Sequence, residues 1–569
     1  MPASSLRNLV TALVLLGVAL RVWAYAGNPP LWLDETLVAR NIFGLSLREL
    51  LTQPLQLDQV APRGFLLMEK LAVLAFGRNE LAVRLFPFLC SIAGVFLFRS
   101  LAERALEGWA VPFAVGLFAI GIPFIKHAAE VKQYELDPAA AVCLMLLSLW
   151  LRERDSTTSR LLLAGLAGFV ITWFSQPSVI VMGGIGVALA VEWCLSRDLR
   201  TARMLLTTVP IWALSSVVAI WAGLQSMAPS TKEFMQDFWN QGFVPRPLRL
   251  LKTAGWFWDQ GLSVFTDPTL LRYRWPAVFL LVAPFGLVAM WRWRRDVALL
   301  LAGPVVVAIL AALLQQYPFR GRLIFYLIPS LLLAISAWAE WIRRMGSRLH
   351  PALGGALMIA LAAPPVAALV KAPPPYDIEH TPALLTYLQR HRQPGDVVYV
   401  FPLSRIGVLF YGPRLGLQPN AWSTGICDRN DTRAFVRDVD RYRGTRRLWV
   451  LSAGQRPYRS ARAAVRDYLS TIGVKRDSLI LRSLTWDTSS LELYDLSEPV
   501  RLNAANPETF PVAPMPTDPR PGPGLSHRRS TAFADRNRMP AARLSGPWRS
   551  AHWRAPRRRS RPFATPPPR

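Results

Sequence analysis

Cysteine is scarce in this sequence, with four residues in 569. Cys90, Cys143 and Cys194 fall inside apolar runs, and Cys427 stands alone in a polar region. The sequence contains no CxxC pair and no framework of regularly spaced cysteines. The pattern therefore predicts neither disulfide bonds nor a cysteine-based metal or redox site.

Charged residues are also few, at 18% of the sequence, whereas 52% of the residues are hydrophobic and 21 are tryptophan. The charges cluster between long apolar runs. A soluble chain of this length would need more charge on its surface. The composition is instead typical of a polytopic membrane protein.

Acidic residues are scarcer than basic ones, 37 against 65, which gives a net charge of +28. A surplus of this size can indicate nucleic-acid binding. Here, however, it lies mostly in short loops and in the last stretch of the chain, and not on one amphipathic face. We therefore expect no nucleic-acid partner, and the basic tail could bind anionic lipid headgroups or have no role.

Eleven apolar runs are long enough, or nearly long enough, to span a bilayer. No small-residue cleavage site follows the first run, so we interpret it as a retained transmembrane helix and not as a signal peptide. The runs are 6–26, 80–99, 107–125, 137–152, 160–175, 177–195, 204–224, 275–292, 297–315, 322–342 and 350–371.

Arginine divides the loops between these runs into two alternating sets. The short loops near 99–104, 152–154, 197–203, 292–295 and 343–348 are rich in arginine, so the positive-inside rule places them in the cytoplasm. The remaining loops are longer or carry acidic and aromatic residues, and they face the other side. An odd number of spans then places the segment after 372 on that outer side as well.

The pattern changes to short strands and helices between 377 and 500. Strand candidates are 397–401, 447–451 and 491–496, and helical patterns cover 380–392 and 459–472. This alternation predicts a small extracytoplasmic α/β domain. The last part, 501–569, is rich in proline and arginine without apolar periodicity, and it predicts a disordered tail.

Two adjacent carboxylates, Asp34 and Glu35, follow the first apolar run within PPLWLDET at 29–36. Carboxylates at the surface of an otherwise lipid-soluble bundle are energetically unfavourable, so their presence indicates a function. The structural alternative is a helix N-cap, because Asp34 precedes a helical pattern. The two roles are compatible, since a capping carboxylate is also held in one position.

A second polar cluster on the same predicted side, at 126–137, has eight polar residues in twelve. Glu130, Tyr134 and Asp137 have the spacing of one helical face. Lys132 could neutralise a phosphate, and Glu130 could pair with a lysine or bind a divalent cation. His127 is more typical of an interfacial histidine than of a metal ligand.

Two more clusters on that side contain arginine. Asp58 and Arg63 lie at 58–65, where Arg63 could bind a phosphate through two N–H groups or be an ordinary interfacial residue. Arg320 and Arg322 lie at 315–322, where proline and glycine interrupt the helix. They are well placed for an anionic leaving group, or they are snorkelling arginines at a helix start.

These clusters, in this order, make the sequence resemble the GT-C glycosyltransferases, in the group of the protein O-mannosyltransferases and the lipid A aminoarabinose transferase. The resemblance is strongest at 6–140 and extends to about 345. It rests on LWLDE at 31–35, QVAP at 59–62, FGRNELAVRL at 76–85, EVKQYELD at 130–137 and YPFRGRL at 317–323.

The resemblance implies a mainly α, GT-C-type transmembrane catalytic domain at 1–372 with about eleven helices. It implies transfer of a hexosyl or pentosyl group from a polyprenyl-phosphate donor to a glycan or lipid acceptor of the cell envelope. The site and the 377–500 domain would face the extracytoplasmic side of the bacterial cytoplasmic (inner) membrane. No P-loop or Rossmann fingerprint occurs, which argues against a soluble nucleotide-sugar donor.

By the same resemblance Asp34 would be the base for the acceptor, with Glu35 supporting it and Glu130 and Lys132 near the donor phosphate. No metal site is predicted from the residues. Because some relatives use a divalent cation and others do not, the resemblance leaves such a cofactor open. The sequence departs from the family at Arg63, which replaces the second proline of the first loop. It also has no recognisable β-trefoil domain, which argues against a protein acceptor.

Four alternatives stay open at this point. A transporter or flippase would need charges within the spans and paired broken helices in a repeat, and the sequence shows no repeat. A non-catalytic lipid-phosphate-binding protein could share the fold without needing Asp34. A ligase or polymerase acting on a polyprenyl lipid, or a hydrolase that uses water as the acceptor, would need the same residues.

Overall fold

The computed structural model describes residues 3–153, 157–225, 227–267, 270–271, 273, 275–428, 431–454, 458–483 and 488–513. Residues 514–569, which include most of the predicted disordered tail, lie outside this part of the chain. The described residues are mainly helical and include a five-stranded sheet.

The α-helices of the described residues, in chain order, are α1 (Ala3–Ala26), α2 (Leu33–Gly44), α3 (Leu47–Thr52), α4 (Arg63–Phe76), α5 (Leu85–Ala105), α6 (Ala110–Ile120), α7 (Ile122–His127), α8 (Leu136–Glu153), α9 (Thr158–Ile171), α10 (Ser178–Ser196), α11 (Leu199–Gln225), α12 (Pro229–Phe238), α13 (Leu250–Thr266), α14 (Pro276–Trp291), α15 (Arg295–Leu313), α16 (Ile328–Leu349), α17 (Pro351–Lys371), α18 (Thr381–His391), α19 (Ser404–Tyr411), α20 (Thr432–Asp440), α21 (Arg459–Ile472) and α22 (Pro499–Leu502). Short 3-10 segments at Ala82–Arg84, Gln133–Glu135 and Gly321–Leu327 lead into α5, α8 and α16.

Eight helical segments of the described chain are long and apolar enough to cross a membrane. Three shorter apolar helices, α6, α9 and α14, complete the set. These eleven segments coincide with the eleven predicted runs, so the prediction of a polytopic helical membrane protein is confirmed. Helix α9 ends at Ile171 and α10 begins at Ser178, directly after Pro177, so the predicted break in this long apolar run is present.

Arg21, a charged residue that the sequence analysis did not single out, lies within the first span. Arg21 of α1 is fully buried, and its guanidinium donates hydrogen bonds to Ser91 Oγ at 2.8 Å, to the Gly17 carbonyl at 3.0 Å and to the Ala119 carbonyl at 3.2 Å. Ser91 Oγ in turn donates to Glu135 Oε1 at 2.7 Å. These bonds connect α1, α5, α6 and the entry to α8, and they compensate the cost of a charge in apolar surroundings.

The sheet is formed by β1 (Val397–Val400), β2 (Ser423–Thr424), β3 (Leu448–Ser452), β4 (Val474–Arg482) and β5 (Thr488–Asp495) in the order β2-β1-β3-β5-β4. Strand β1 is parallel to β2 and β3, whereas β5 is antiparallel to β3 and β4. The three predicted strands and both predicted helices are present, as α18 and α21. The sequence analysis missed β2, which has two residues, and the edge strand β4, whose VKRDSLILR pattern is too polar to indicate a strand.

The chain remains ordered beyond the predicted end of the α/β domain at 500. The side chain of Arg443 donates to the Ala505 carbonyl at 2.9 Å, and the Phe510 ring meets the Tyr468 ring edge-on at 5.0 Å between centroids. Residues 501–513 therefore belong to the packed part, and the prediction of disorder is wrong for them. Isolated apolar residues such as Phe510 show no periodicity, so the sequence pattern did not indicate this packing.

Helices α10 and α15 contact each other backbone to backbone. A Cβ added at Gly184 would lie 2.3 Å from the Pro304 nitrogen, whereas one added at the neighbouring Gly183 would lie 3.5 Å from a Val307 methyl group. Such close approach between membrane helices requires small residues at the contact.

Replacing Gly184 by alanine should therefore destabilise the bundle, because backbone atoms cannot move aside as a flexible side chain can. We expect a loss of about 1–3 kcal/mol, seen as a lower midpoint of thermal unfolding in detergent. Gly183→Ala, the matched control, should unfold as wild type does. Equal midpoints for the two variants would contradict the contact.

Candidate active site

Asp34 and Glu35 occupy the first turn of α2 because Pro29 and Pro30 keep the preceding chain extended. The helix begins at Leu33, after Trp32 in an extended conformation. The carboxylate of Glu35 reaches back to the Trp32 amide at 3.3 Å. The N-terminal contact that was expected of Asp34 is therefore made by Glu35, and Asp34 points to other partners.

Asp34 forms an ion pair with Arg322, with 2.5 Å between Oδ2 and a guanidinium nitrogen. Their side chains are only 20% and 16% exposed. The guanidinium is surrounded by aromatic rings, those of Tyr134, Trp32 and Trp239, whose centroids lie 4.8, 5.9 and 5.9 Å away. Cation–π contacts of this kind hold an arginine in place while its edge remains available to an anion.

One nitrogen of Arg322 still has a free hydrogen-bonding position. Its Nε is buried and has no hydrogen-bond partner among the described residues. A buried donor without a partner is unfavourable, so an anion that accepts a hydrogen bond there would be stabilised.

Lys132 supplies a second positive charge close to Asp34. Its ammonium donates to Gln59 Oε1 at 2.9 Å, and burial lowers its pKa to about 8 despite the opposing effect of Asp34. Burial would by itself raise the pKa of Asp34, but Arg322 and Lys132 hold it below its ordinary value. Asp34 is therefore ionised near neutral pH.

Glu35 is buried and bound on both carboxylate oxygens. Arg84 donates to Oε1 at 2.9 Å and to Oε2 at 2.8 Å, and the Val131 amide donates to Oε1 at 2.8 Å. Arg84 also donates to the Pro29 carbonyl at 2.6 Å. These bonds connect the 29–35 segment, the start of the second span and the 126–135 segment, so Glu35 organises the site through its fixed partners.

Glu130 is also surrounded by partners. It accepts from Trp32 Nε1 at 2.7 Å, it contacts His127 Nδ1, and Lys126 Nζ lies at 3.7 Å. Burial would raise the pKa of Glu130, but Lys126 and His127 together hold it well below its ordinary value. Glu130 thereby fixes Trp32, whose ring lies over Arg322.

A small cleft adjoins this group. Its lining includes Trp32, Glu35, Arg84 and Glu130, together with Tyr376, which lies between α17 and α18. The Tyr376 hydroxyl is buried and has no hydrogen-bond partner among the described residues. A polar group of a ligand could therefore bind there.

The remaining predicted residues make other contacts. Glu130, Tyr134 and Asp137 do not share one helix, because the chain bends at 130–132, forms a 3-10 turn and starts α8 only at Leu136. Tyr134 still meets Arg322, but Asp137 accepts instead from Ser175 Oγ at 2.7 Å. Pro138 lies in the first turn of α8, where proline is favoured, and this is consistent with a helix that starts only at Leu136.

Asp58, Arg63 and Arg320 contact the region around α11 and α12. Asp58 accepts from Thr231 Oγ1 at 2.9 Å, Arg63 donates to the Ala222 carbonyl at 3.4 Å, and Arg320 donates to the Gln241 side chain. Among the contacts of the described chain, none joins these three residues to Asp34. They connect the 58–63 and 315–322 segments to that region.

Sequence reasoning did not single out Trp239, Arg84 or Gln59 as site residues. Gln59 and Arg84 lie within stretches that carry the family resemblance, which is a signal for them. Trp239 follows α12, in a region with no motif, so only the folded chain reveals its place beside Arg322. No group of three or more His, Cys, Asp or Glu side chains converges as a metal site among the residues described.

No family model matches the sequence, and no curated protein matches it. Among solved structures, the chain is similar to the oligosaccharyltransferase AglB from Archaeoglobus fulgidus in complex with an inhibitory peptide and a dolichol-phosphate, with 10% identity over 86% of this chain and 74% of that one and a TM-score of 0.44. It is also similar to ArnT from Cupriavidus metallidurans in the apo state, with 13% identity over 86% of this chain and 98% of that one and a TM-score of 0.44. ArnT bound to undecaprenyl phosphate gives 14% identity, the same coverage and a TM-score of 0.31. AglB and ArnT are GT-C proteins, the family that the sequence resembles.

The structure makes a direct prediction about the Glu35–Arg84 pair. Glu35→Gln replaces one acceptor oxygen with an N–H group that faces the guanidinium, and it leaves Arg84 as a buried, unpaired charge. We expect a loss of about 3–5 kcal/mol in the free energy of unfolding, measured by thermal or denaturant unfolding in detergent.

Glu103→Gln is the control, because Glu103 pairs with Arg99 at 2.9 Å on a more exposed surface, with side chains 44% and 28% exposed. It should cost less than about 1 kcal/mol. If Glu35→Gln were equally mild, Glu35 would not hold the site together.

Proposed function

We propose that the chain is an integral-membrane, GT-C-type glycosyltransferase that moves a sugar from a polyprenyl-phosphate donor to an acceptor hydroxyl. The observation that carries this proposal is the Asp34–Arg322 ion pair beside Lys132. It combines a carboxylate with two cations at the entry to membrane helices. The sequence resemblance assigns the same carboxylate to the catalytic centre.

The donor phosphate binds to Arg322 and Lys132 in this proposal. The Nε of Arg322 has no partner, and a phosphate oxygen can accept its hydrogen. As the sugar leaves, negative charge grows on the polyprenyl phosphate, and two fixed cations stabilise it. The lipid chain of the donor lies against the apolar helices of the 1–372 catalytic domain.

Asp34 acts as the base that takes the acceptor proton. In the structure Arg322 pairs with it and lowers its pKa, which makes it a weak base. A donor phosphate that competes for Arg322 weakens this pair and adds a negative charge nearby. Both effects raise the pKa of Asp34, so the base becomes effective when the donor is bound.

The chemical step then balances without another reactant. The acceptor oxygen forms a bond to the anomeric carbon, and its proton passes to a carboxylate oxygen of Asp34. The bond between the anomeric carbon and the phosphate oxygen breaks, and the electron pair leaves with the polyprenyl phosphate. Glu35 and Glu130 hold the loop and Trp32 in place, and the cationic side chains of Arg322 and Lys132 compensate the growing negative charge.

The site faces the outer side of a bacterial cytoplasmic membrane in this proposal. The arginine-rich loops lie at the opposite ends of the spans. Polyprenyl-phosphate sugars and envelope glycans or lipids are the corresponding donor and acceptor classes. The 377–500 domain lies on the same side as the site.

Asp34→Asn should abolish sugar transfer, because an amide cannot take the acceptor proton. We expect release of polyprenyl phosphate to fall at least about 100-fold. The assay uses purified protein in lipid nanodiscs, a panel of polyprenyl-phosphate sugars and an envelope extract as acceptor.

Asp296→Asn is the matched control, since Asp296 also pairs with an arginine, Arg294, at 3.0 Å but lies at the start of α15. Its activity should equal that of wild type. Equal release by wild type and Asp34→Asn would remove Asp34 as the base. Donor binding without release by wild type would favour a non-catalytic lipid-phosphate-binding protein.

Donor binding should weaken above about pH 8, where Lys132 loses its proton. Below that pH the ammonium attracts the phosphate, and above it this attraction is lost. We therefore expect the KM for the donor to rise between pH 7 and pH 9 in wild type. In Lys132→Arg the side chain stays charged throughout this range, and the rise should disappear; a rise of the same size would assign it to another group.

A further inference from the structure

The α/β part of the chain directly contacts the segment 29–35, called here the Asp34 loop, which leads into the first turn of α2 where Asp34 lies. The hydroxyl of Tyr411, the last residue of α19, accepts a hydrogen bond from the Leu31 amide at 2.7 Å. Leu31 is 1% exposed and lies three residues before Asp34. The contact is therefore dry, and the amide depends on this hydroxyl for its hydrogen bond.

A second polar contact reaches the segment that supports Glu35. Arg414 pairs with Glu80 at 2.8 Å, with side chains 24% and 15% exposed, and its guanidinium lies 4.4 Å from the Phe410 ring centroid. Glu80 lies four residues before Arg84, which clamps Glu35 and the Pro29 carbonyl. Tyr411 and Arg414 thus hold the two segments that meet at the Glu35–Arg84 pair.

Apolar packing connects the same two parts. Val38 and Ile42 of α2 are fully buried in one cluster with Leu385 and Val408 of the α/β part. The rings of Phe43 and Phe410 stack at 5.9 Å between centroids. Helix α2 is therefore packed between the α/β part and α4, and its first turn cannot shift without disturbing this core.

We propose that the α/β domain positions the Asp34 loop through Tyr411 and Arg414, and so governs the rate of sugar transfer as well as any contact with the acceptor. The inference rests on the proposed function for its catalytic consequence. Its structural part, control of the 29–35 loop, stands independently. Tyr411 and Arg414 are positioning residues, since they act on Asp34 through the backbone and through the Glu35–Arg84 pair.

The consequence for the reaction follows from geometry. Asp34 must lie within hydrogen-bond distance of the acceptor hydroxyl while Arg322 and Lys132 hold the phosphate. A displacement of about 1 Å at a reacting group can cost roughly 100-fold in rate. A loop that enters its helix through Pro29 and Pro30 has few internal hydrogen bonds of its own, so an external contact at Leu31 has a large influence on where Asp34 lies.

The first test replaces Tyr411 by phenylalanine in the full chain and measures hydrogen–deuterium exchange in nanodiscs. Peptides that span 29–33 report few amides, because Pro29 and Pro30 have none. We expect exchange at Leu31 to accelerate about tenfold or more, since its amide loses the Tyr411 hydroxyl as hydrogen-bond acceptor. The kcat of transfer should fall by about tenfold, while the donor KM, set by Arg322 and Lys132, should change less than twofold.

Tyr399→Phe is the matched control. Tyr399, on β1, is a fully buried tyrosine of the same α/β part, and its hydroxyl donates to Asp438 at 2.9 Å. It should leave exchange at 29–33 and kcat as in wild type. Unchanged exchange at 29–33 in Tyr411→Phe would overturn the inference. Faster exchange with no transfer activity in wild type would instead refute the proposed function alone.

The second test exchanges the charges of the Arg414–Glu80 pair. Arg414→Glu and Glu80→Arg should each lower kcat about tenfold, and the double variant should recover most of it because the pair is restored in reverse. If Arg414 stabilised only the α/β part and Glu80 stabilised only the membrane-helix part, kcat would not recover in the double variant. Failure of the double variant to recover, with unfolding midpoints equal to those of the single variants, would contradict the coupling through this pair.

Discussion

The rest of the candidate site depends on the buried pair between Glu35 and Arg84. Two adjacent carboxylates in the first turn of a helix would repel each other and would lose solvation in a membrane bundle. Arg84 and the Val131 amide compensate Glu35 internally. Asp34 is then the carboxylate that remains available, and it faces Arg322 across the mouth of the site.

The contacts of Glu35 and Glu130 bring segments that are distant in the sequence together around Asp34. Glu35 joins the 29–35 loop to the start of α5 and to the 126–135 segment, and Glu130 fixes Trp32 over Arg322. The α/β part packs against α2 in one buried apolar cluster. Charges that would be weak at an exposed surface are strong here, because the surroundings are apolar and their partners are fixed.

Much of the fold was predictable because its signals are local. Hydropathy located all eleven apolar segments, and apolar runs located β1, β3 and β5, since both patterns arise from residues close together in sequence. The polar edge strand β4 and the packed segment 501–513 were missed, because an edge strand needs no apolar face and Phe510 is an isolated contact. Asp58, Arg63 and Arg320 share the predicted side with Asp34, yet their described partners are Thr231, Ala222 and Gln241.

The sequence by itself determined the bundle and the position of the two carboxylates after the first span, and it predicted that the arginines at 63, 320 and 322 share their side of the membrane. Only the tertiary structure decided which carboxylate meets which distant cation, Glu35 with Arg84 and Asp34 with Arg322, whereas Lys126 and His127 lie within about one helical turn of Glu130 in the sequence. The physical reason is that pairing depends on distances of a few ångströms between segments up to 288 residues apart, as Asp34 and Arg322 are. The sequence shows which charges are present, but the packing of α2, α5 and the Gly321–Leu327 segment sets the distances between them.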